Sequence, residues 1–266
     1  MMKQPLNLIL PAYRPSSSWA EGAAKHLAAL QQSCHEAGIP LAVYLVNDGS
    51  EEDKYFPESV LNTLRGTVEH FHFLSYFPNH GKGYSLRYGV SHAGRGFLIY
   101  TDCDFPFGCS SILSAYQMLE AGAEVVMGKR DNVYSNRLSP FRRFLSVGLR
   151  RVNSLLFGFP LDRVDTQSGL KGFSGRGRLA FLMTQVDTFL FDTEFILIAQ
   201  RNQLNIAIVP LKLREGLHFS RMGFKVIVRE LIALAGVFFR CRIGSRVIRQ
   251  MEKAVEQERC RNFTEV

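Results

Sequence analysis

The chain alternates short apolar runs with longer amphipathic stretches, and that rhythm leaves few folds open. Runs at Leu6–Leu10, Leu41–Val46, Val68–Ser75 and Gly96–Thr101 have the length of strands, while Trp19–Ala37 and Gly83–Ala93 carry apolar residues at helical spacing. Helices placed between buried strands predict an α/β fold with an open, mostly parallel sheet. The alternation continues with a helix over Ser110–Ala121, a strand over Glu124–Gly128 and a basic amphipathic helix over Arg142–Phe157. After these come a strand-like Gly169–Ser174, a short helix over Arg178–Met183, a helix over Phe191–Asn202 and a strand over Ile206–Pro210. From about Ser220 the pattern changes to a long helical region rich in apolar and basic residues, so the expected division is 1–219 and 220–266.

Length and charge narrow the class. A chain of 266 residues can bury a sizeable core. Lys and Arg number 32 against 24 Asp and Glu, with the excess concentrated from Arg214 onward, which suits nucleic acid, an anionic membrane surface or phosphorylated substrates. The five cysteines are odd in number and lack CxxC spacing, which argues against a zinc site and a disulfide framework and for a reducing compartment. The first residues run almost directly into an apolar strand with no export signal, so a cytoplasmic location is expected. No stretch reaches the roughly 20 apolar residues of a spanning helix; Val226–Phe239 is interrupted by Arg229 and Glu230. Two readings of the tail stay open: an interfacial amphipathic helix, or a core-packing helix with a solvated basic face.

The residues that carry chemistry stand at predicted strand ends. Phe97-Leu98-Ile99-Tyr100-Thr101 runs into Asp102-Cys103-Asp104, delivering two carboxylates to one point where Mg²⁺ or Mn²⁺ and its phosphate ligands fit. On a strand, residues two apart share a face, so both side chains are expected to meet one cation; a turn aspartate plus a helix cap is the plainer alternative. The first strand opens into Pro11-Ala12-Tyr13 and the second ends in Val46-Asn47-Asp48-Gly49-Ser50, placing Tyr13 to stack on a base and Asp48 to accept its N–H groups. Asn-Asp-Gly-Ser is equally good turn chemistry. Asn79-His80-Gly81-Lys82-Gly83, leading into Arg87 and Gly89, puts glycines and a lysine at a helix start that suits an anion or a nucleotide edge, without the spacing of a Walker loop; a helix cap with exposed basic residues is the equal alternative.

In this order the motifs resemble those of the inverting glycosyltransferases of the type A fold, family 2, in particular the dolichyl-phosphate mannosyltransferase and polyprenyl-phosphate glycosyltransferase group. Downstream, Gly128-Lys129-Arg130, Asp165-Thr166-Gln167-Ser168-Gly169-Leu170-Lys171 and Phe191-Asp192-Thr193-Glu194-Phe195 continue the resemblance, which spans residues 6 to about 215, roughly four fifths of the chain. It implies the nucleotide-diphospho-sugar transferase (GT-A) fold, Rossmann-like. It also implies that Pro11, Tyr13, Asp48 and Lys82 hold the nucleoside, that Asp102 faces the nucleotide diphosphate, and that Asp102 and Asp104 carry the metal, with Asp104 the principal ligand. Arg130, Arg142, Arg143 and Ser146 would line the acceptor side. Asp165, Gln167 and Lys171 would shape the sugar pocket, with Asp104, Arg130, Asp165 and Lys171 nearest the chemistry. Asp192 and Glu194 would bind sugar hydroxyls or cap their helix, and His218, Arg221 and Lys225 would close over the diphosphate. The chain departs from the group at Phe105-Pro106-Phe107-Gly108, where a polar residue and a His-Pro pair are usual, and at Arg14, where asparagine is usual.

The function so implied is metal-dependent transfer of a sugar from a UDP- or GDP-linked donor to a polyprenyl phosphate or another lipid-linked acceptor. It would act at the cytosolic membrane face, with peripheral membrane contact and no nucleic-acid partner. A nucleotidyltransferase would carry a glycine-rich, arginine-containing loop after the first strand, where this chain has Pro11-Ala12-Tyr13-Arg14-Pro15. A basic membrane- or nucleic-acid-binding module would account for Arg240–Arg261 and leave the aspartate pair unexplained.

Overall fold

A computed structural model describes residues 3–130, 168–188 and 190–214. They form β1 (Leu6–Ala12), α1 (Trp19–Glu36), β2 (Leu41–Asp48), α2 (Glu52–Tyr55), α3 (Glu58–Arg65), β3 (His70–Tyr76), α4 (Lys82–His92), β4 (Phe97–Tyr100) and α5 (Gly108–Glu120). There follow β5 (Val125–Arg130), β6 (Lys171–Phe173), α6 (Gly175–Leu182), α7 (Phe191–Arg201) and β7 (Ile206–Leu211). The expected helix over Arg142–Phe157 and the tail 220–266 lie outside the described residues.

The strands make one sheet in the order β3-β2-β1-β4-β6-β5-β7, parallel except for β6, which runs antiparallel between β4 and β5. The mostly parallel α/β sheet expected from the alternation is therefore present. All of β1 is buried, as a strand covered on both faces must be. Its alternate residues divide between two cores. Leu6, Leu8 and Leu10 join Ala23, Leu27 and Leu30 of α1 and Ile112, Ala115 and Leu119 of α5, while Ile9 joins Leu86 and Val90 of α4 and the aromatic side chains Phe181, Phe191 and Phe195. Helix α4 lies close on the sheet because Gly89 has no side chain: a Cβ there would come within 2.6 Å of Ile9 Cγ2 and 2.9 Å of Val46 Cγ2.

Two local details differ from the sequence pattern. Residues 51–67, where the sequence pattern marks no element, contain α2 and α3; α3 has only two turns, and Leu61 and Leu64 are its buried contacts, too brief a pattern to stand out. The strand-like Gly169–Ser174 shortens to Lys171–Phe173. The chain builds β2 and β3 on one side of β1 and then crosses through α4 to place β4 on the other. The carboxyl ends of β1 and β4 thus flank the point where strand order reverses, the place where open α/β sheets form a ligand crevice. Among the described residues no helix is long and apolar enough to cross a membrane.

Candidate active site

Strand β4 stops at Tyr100, so Asp102 and Asp104 lie in the turn beyond it and do not share a strand face. The turn brings them together instead. Thr101 N–H still donates to Ile9 O (3.3 Å), keeping the exit aligned with β1, and then Phe105 N–H donates to Asp102 O (3.0 Å) and Gly108 N–H to Phe105 O (3.2 Å). Phe105 has φ +50, a left-handed conformation that a bulky side chain rarely adopts. Its ring and that of Phe107 are buried in the core between α1 and α5. The departure from the usual polar sequence at Phe105-Pro106-Phe107 thus anchors the acidic turn from below.

Asp102 is paired with Lys82, the first residue of α4. Burial works against the Lys82 charge, but Asp102 beside it, with Asp192 and Asp104 farther off, outweighs that and holds the ammonium above its ordinary range. Crowding by the protein, then the negative charge of Asp102, pushes the exposed Asp104 carboxyl above its usual 3.8. Burial, then the two flanking aspartates, raises the Cys103 thiol to about 12, so it stays protonated near neutral pH.

Asp48 is committed differently from the expectation. Its Oδ1 accepts from Tyr76 Oη–H (2.7 Å), His80 N–H (3.0 Å) and Gly81 N–H (3.2 Å), and its Oδ2 from Gly81 N–H (3.1 Å). This buried carboxylate shapes the turn that leads into α4. Gly49 makes the approach possible: at φ +72, a Cβ would meet Asn79 N at 2.2 Å. Asn47 closes its own turn, accepting from Ser50 N–H (2.8 Å) and donating to Ser50 O (2.9 Å), while Ser50 Oγ accepts from Arg14 N–H (2.9 Å). Pro11 is buried within β1, whereas Tyr13 is 46% exposed with the Arg14 guanidinium 5.2 Å from its ring centroid.

Beneath the crevice lies a buried polar group. Lys171, fully buried on β6, places Nζ 3.0 Å from Asp192 Oδ1 and donates to Ser168 O (2.8 Å), and Tyr100 Oη–H donates to the same Asp192 oxygen. Burial, then the charge of Asp192, pushes the Tyr100 hydroxyl well above its usual pKa, so it remains a donor. The Ser168 carbonyl bond fixes the strand of chain beside Asp102: a Cβ on Gly169 would come within 2.6 Å of Asp102 Oδ2. Glu194 Oε2 accepts from the backbone N–H groups of Gln185 (2.7 Å) and Val186 (2.8 Å). Arg87 holds the same loop through Asp187 and Val186 O (2.8 Å), and Gly83 N–H donates to Asp187 O (2.8 Å).

Asp102 and Asp104 fit a hard divalent cation. Two carboxylates close enough to raise the pKa of one are relieved by such an ion, and Gly169 leaves the Asp102 carboxylate its space. Among the described residues no group of three or more His, Cys, Asp or Glu is arranged to hold a metal. Mg²⁺ is commonly held by one or two carboxylates, with phosphate oxygens completing its shell. The structure brings together Tyr13, Asp48, Lys82, Asp102 and Asp104 at neighbouring strand ends, with Lys171 below; Arg130 ends β5 opposite Leu211 of β7. Arg142, Arg143, Ser146, Asp165, Gln167, His218, Arg221 and Lys225 lie outside the described residues. The sequence reading missed Tyr100 as a partner of Asp192 and Arg214 as a contact of the acidic turn, which donates to Asp104 O (3.0 Å).

No family model matches the chain. In sequence it is 26% identical over 255 residues to a dolichyl-phosphate beta-glucosyltransferase of Trichomonas vaginalis, covering 92% of this chain and 76% of that protein. It is 24% identical over 221 residues to the Drosophila melanogaster enzyme of the same name, covering 79% and 67%. In structure it matches glucosyl-3-phosphoglycerate synthase of Mycobacterium tuberculosis, solved with Mn²⁺, UDP and glucosyl-3-phosphoglycerate, at a TM-score of 0.64 and 15% identity over 91% of this chain and 82% of that one. Mannosyl-3-phosphoglycerate synthase of Rubrobacter xylanophilus matches at 0.61 and 15% identity over 94% and 75%. The chain has the GT-A fold of these proteins and resembles the dolichyl-phosphate glycosyltransferases in sequence, as its motifs imply.

Proposed function

We propose that the protein is a metal-dependent, inverting glycosyltransferase that moves a sugar from a nucleoside-diphosphate sugar to a polyprenyl phosphate. The observation that carries this is the acidic turn of Asp102 and Asp104, set at the point of strand reversal with Lys82 paired to Asp102. The names of the sequence relatives support glucose and a dolichyl-type phosphate, and the structural relatives solved with Mn²⁺ and UDP-glucose support a UDP-linked donor.

In this reading the exposed ring of Tyr13 stacks on the base, and the turn held by Asp48 presents the start of α4 to the nucleotide. Asp104, with Asp102, holds the cation, which when bound neutralises charge growing on the departing nucleoside diphosphate. Lys82 keeps its charge near neutral pH and fixes the Asp102 carboxylate. Arg142, Arg143 and Ser146 hold the acceptor phosphate, whose oxygen attacks the anomeric carbon in a single displacement and needs no strong general base. Arg130 joins them on the acceptor side, and Asp165, Gln167 and Lys171 shape the sugar pocket, Glu194 supporting it through its loop. The basic region 220–266 meets the cytoplasmic face of the membrane as a peripheral contact.

A thermal-shift series with UDP and GDP, each with and without Mn²⁺, tests the reading, since a ligand bound only by the folded chain raises its stability. A nucleoside diphosphate shift that requires Mn²⁺, lost in Asp104→Asn, is expected, together with nucleoside diphosphate release when polyprenyl phosphate is added. An Asp104→Asn variant that binds and turns over donor like wild type would end the metal assignment.

A further inference from the structure

The acidic turn is held from outside the crevice by groups that the glycosyltransferase mechanism does not use. Arg214, three residues past β7, donates from Nη2 to Asp104 O (3.0 Å) and from its backbone N–H to Pro106 O (2.9 Å). Its Nη1 lies 2.7 Å from Nε2 of His26 on α1, and the His26 ring stacks on Phe105 with centroids 5.3 Å apart. These outside contacts reach three consecutive residues, 104 to 106, around a left-handed Phe105. A guanidinium only donates, so Nε2 of His26 accepts and the ring proton sits on Nδ1. That nitrogen faces Cys109 Sγ at 3.9 Å, and the Cys109 thiol donates to His26 O (3.1 Å). Burial, then the Arg214 charge, lowers the His26 pKa and favours this neutral form.

We propose that Arg214, buttressed by His26, is a positioning residue that fixes the direction from which Asp104 meets the metal-bound diphosphate. This rests on the glycosyltransferase reading above. Each terminal nitrogen of the guanidinium spends an N–H on a protein acceptor, which ties Arg214 to the turn and to α1, and the role proposed for it is through that turn. Opposing effects are separable by sign. A cation near Asp104 repels a metal, so its charge alone would make Arg214 weaken metal binding, whereas its hold on the turn strengthens it.

The experiment titrates Mn²⁺ against the UDP-dependent thermal shift of wild type, Arg214→Met, Arg214→Lys and His26→Phe. Arg214 is exposed, so the metal-free melting temperatures of its variants are expected to stay close to wild type. Loss of the Asp104 bond in Arg214→Met is expected to raise half-saturating Mn²⁺ about fivefold, the worth of one hydrogen bond. Arg214→Lys, which keeps the charge but not the fork, is expected to fall between that and wild type. His26→Phe keeps the ring on Phe105 and removes the acceptor, so it raises half-saturation less, and adds nothing in the Arg214→Met background. Half-saturation unchanged or lowered in Arg214→Met overturns the proposal, as does a full independent effect of His26→Phe in that background. Failure of wild type to show any Mn²⁺-dependent shift with UDP or GDP overturns the glycosyltransferase reading and this proposal with it; a normal wild-type titration that the Arg214 variants reproduce overturns this proposal alone.

Discussion

Replacing Lys171 by methionine removes the cation from the fully buried group under the crevice while keeping most of its volume. Asp192 is left with the Tyr100 hydroxyl as its described side-chain donor, in a site where burial already pushes its pKa up and Lys171 is the largest influence holding it down. Breaking one side of a buried pair costs about 3–5 kcal/mol. The carboxyl escapes part of that cost by taking a proton, at about 1.36 kcal/mol for each pH unit above its ordinary 3.8, so the penalty is capped near about 4 kcal/mol at pH 7 and about 1.6 kcal/mol at pH 5. The sign follows from linkage. In the variant the folded state binds this proton more tightly than the unfolded state, so stability is greatest at low pH and falls as pH rises through the folded pKa. Urea unfolding is readable through the single tryptophan, Trp19, which is buried edge-on against Phe56. The expected result is a loss of about 3–4 kcal/mol at pH 7 that shrinks to about 1.6 kcal/mol or less at pH 5. Removing both charges, in Lys171→Met with Asp192→Asn, should cost less than Lys171→Met alone at pH 7. A loss below about 1 kcal/mol, or one that does not change between pH 7 and pH 5, would refute a buried ion pair here.

Gly169→Ala places a methyl group 2.6 Å from Asp102 Oδ2, an atom at the end of a side chain, so the carboxylate should move with little loss of stability; weaker Mn²⁺-dependent nucleotide binding at near-normal melting temperature is the expected pair of readings. Gly89→Ala sets about 1–3 kcal/mol of overpacking against Ile9 and Val46 in opposition to about 1 kcal/mol of gained helix propensity, so urea unfolding should show a net loss. His26, faced by Arg214, Lys25 and Cys109, has a folded pKa below 6.5, so its share of stability is lost as pH falls through 6.5 toward that lower value; His26→Phe should flatten the fall in melting temperature between pH 7.5 and pH 5.5.

Much of the sheet was legible because buried parallel strands announce themselves as unbroken apolar runs. Leu6–Leu10 and Leu41–Val46 needed no partner to be recognised. Strand β6 was only half legible: its three residues are too few for a pattern, and its antiparallel seat between β4 and β5 is set by pairing with strands far off in the sequence. For the same reason Lys171 and Asp192 could be named separately but not joined, and nothing in the neighbourhood of His26 or Arg214 points to the other, 188 residues away. Residue type gave the chemistry of these groups, and tertiary pairing decided its use.

Asp48 and Asp102 make the same distinction within one motif class. Each is an acid at or just past the end of a parallel strand, followed by turn-forming residues, and the sequence offers both as ligand groups. What separates them is the face that the start of α4 turns to each. Residues 80 and 81 direct backbone N–H groups at Asp48, while Lys82, the next residue, directs its ammonium at Asp102. Three successive residues therefore span the ends of β2 and β4 and are fixed by a carboxylate at each side. The stretch from His80 to Lys82 is held by charge at both ends before any nucleotide arrives, which lowers the ordering cost of binding one. Loss of the Asp48 carboxylate, which is not assigned to the metal, should then weaken Mn²⁺-dependent nucleotide binding without raising half-saturating Mn²⁺, whereas loss of Asp104 should abolish the Mn²⁺-dependent shift.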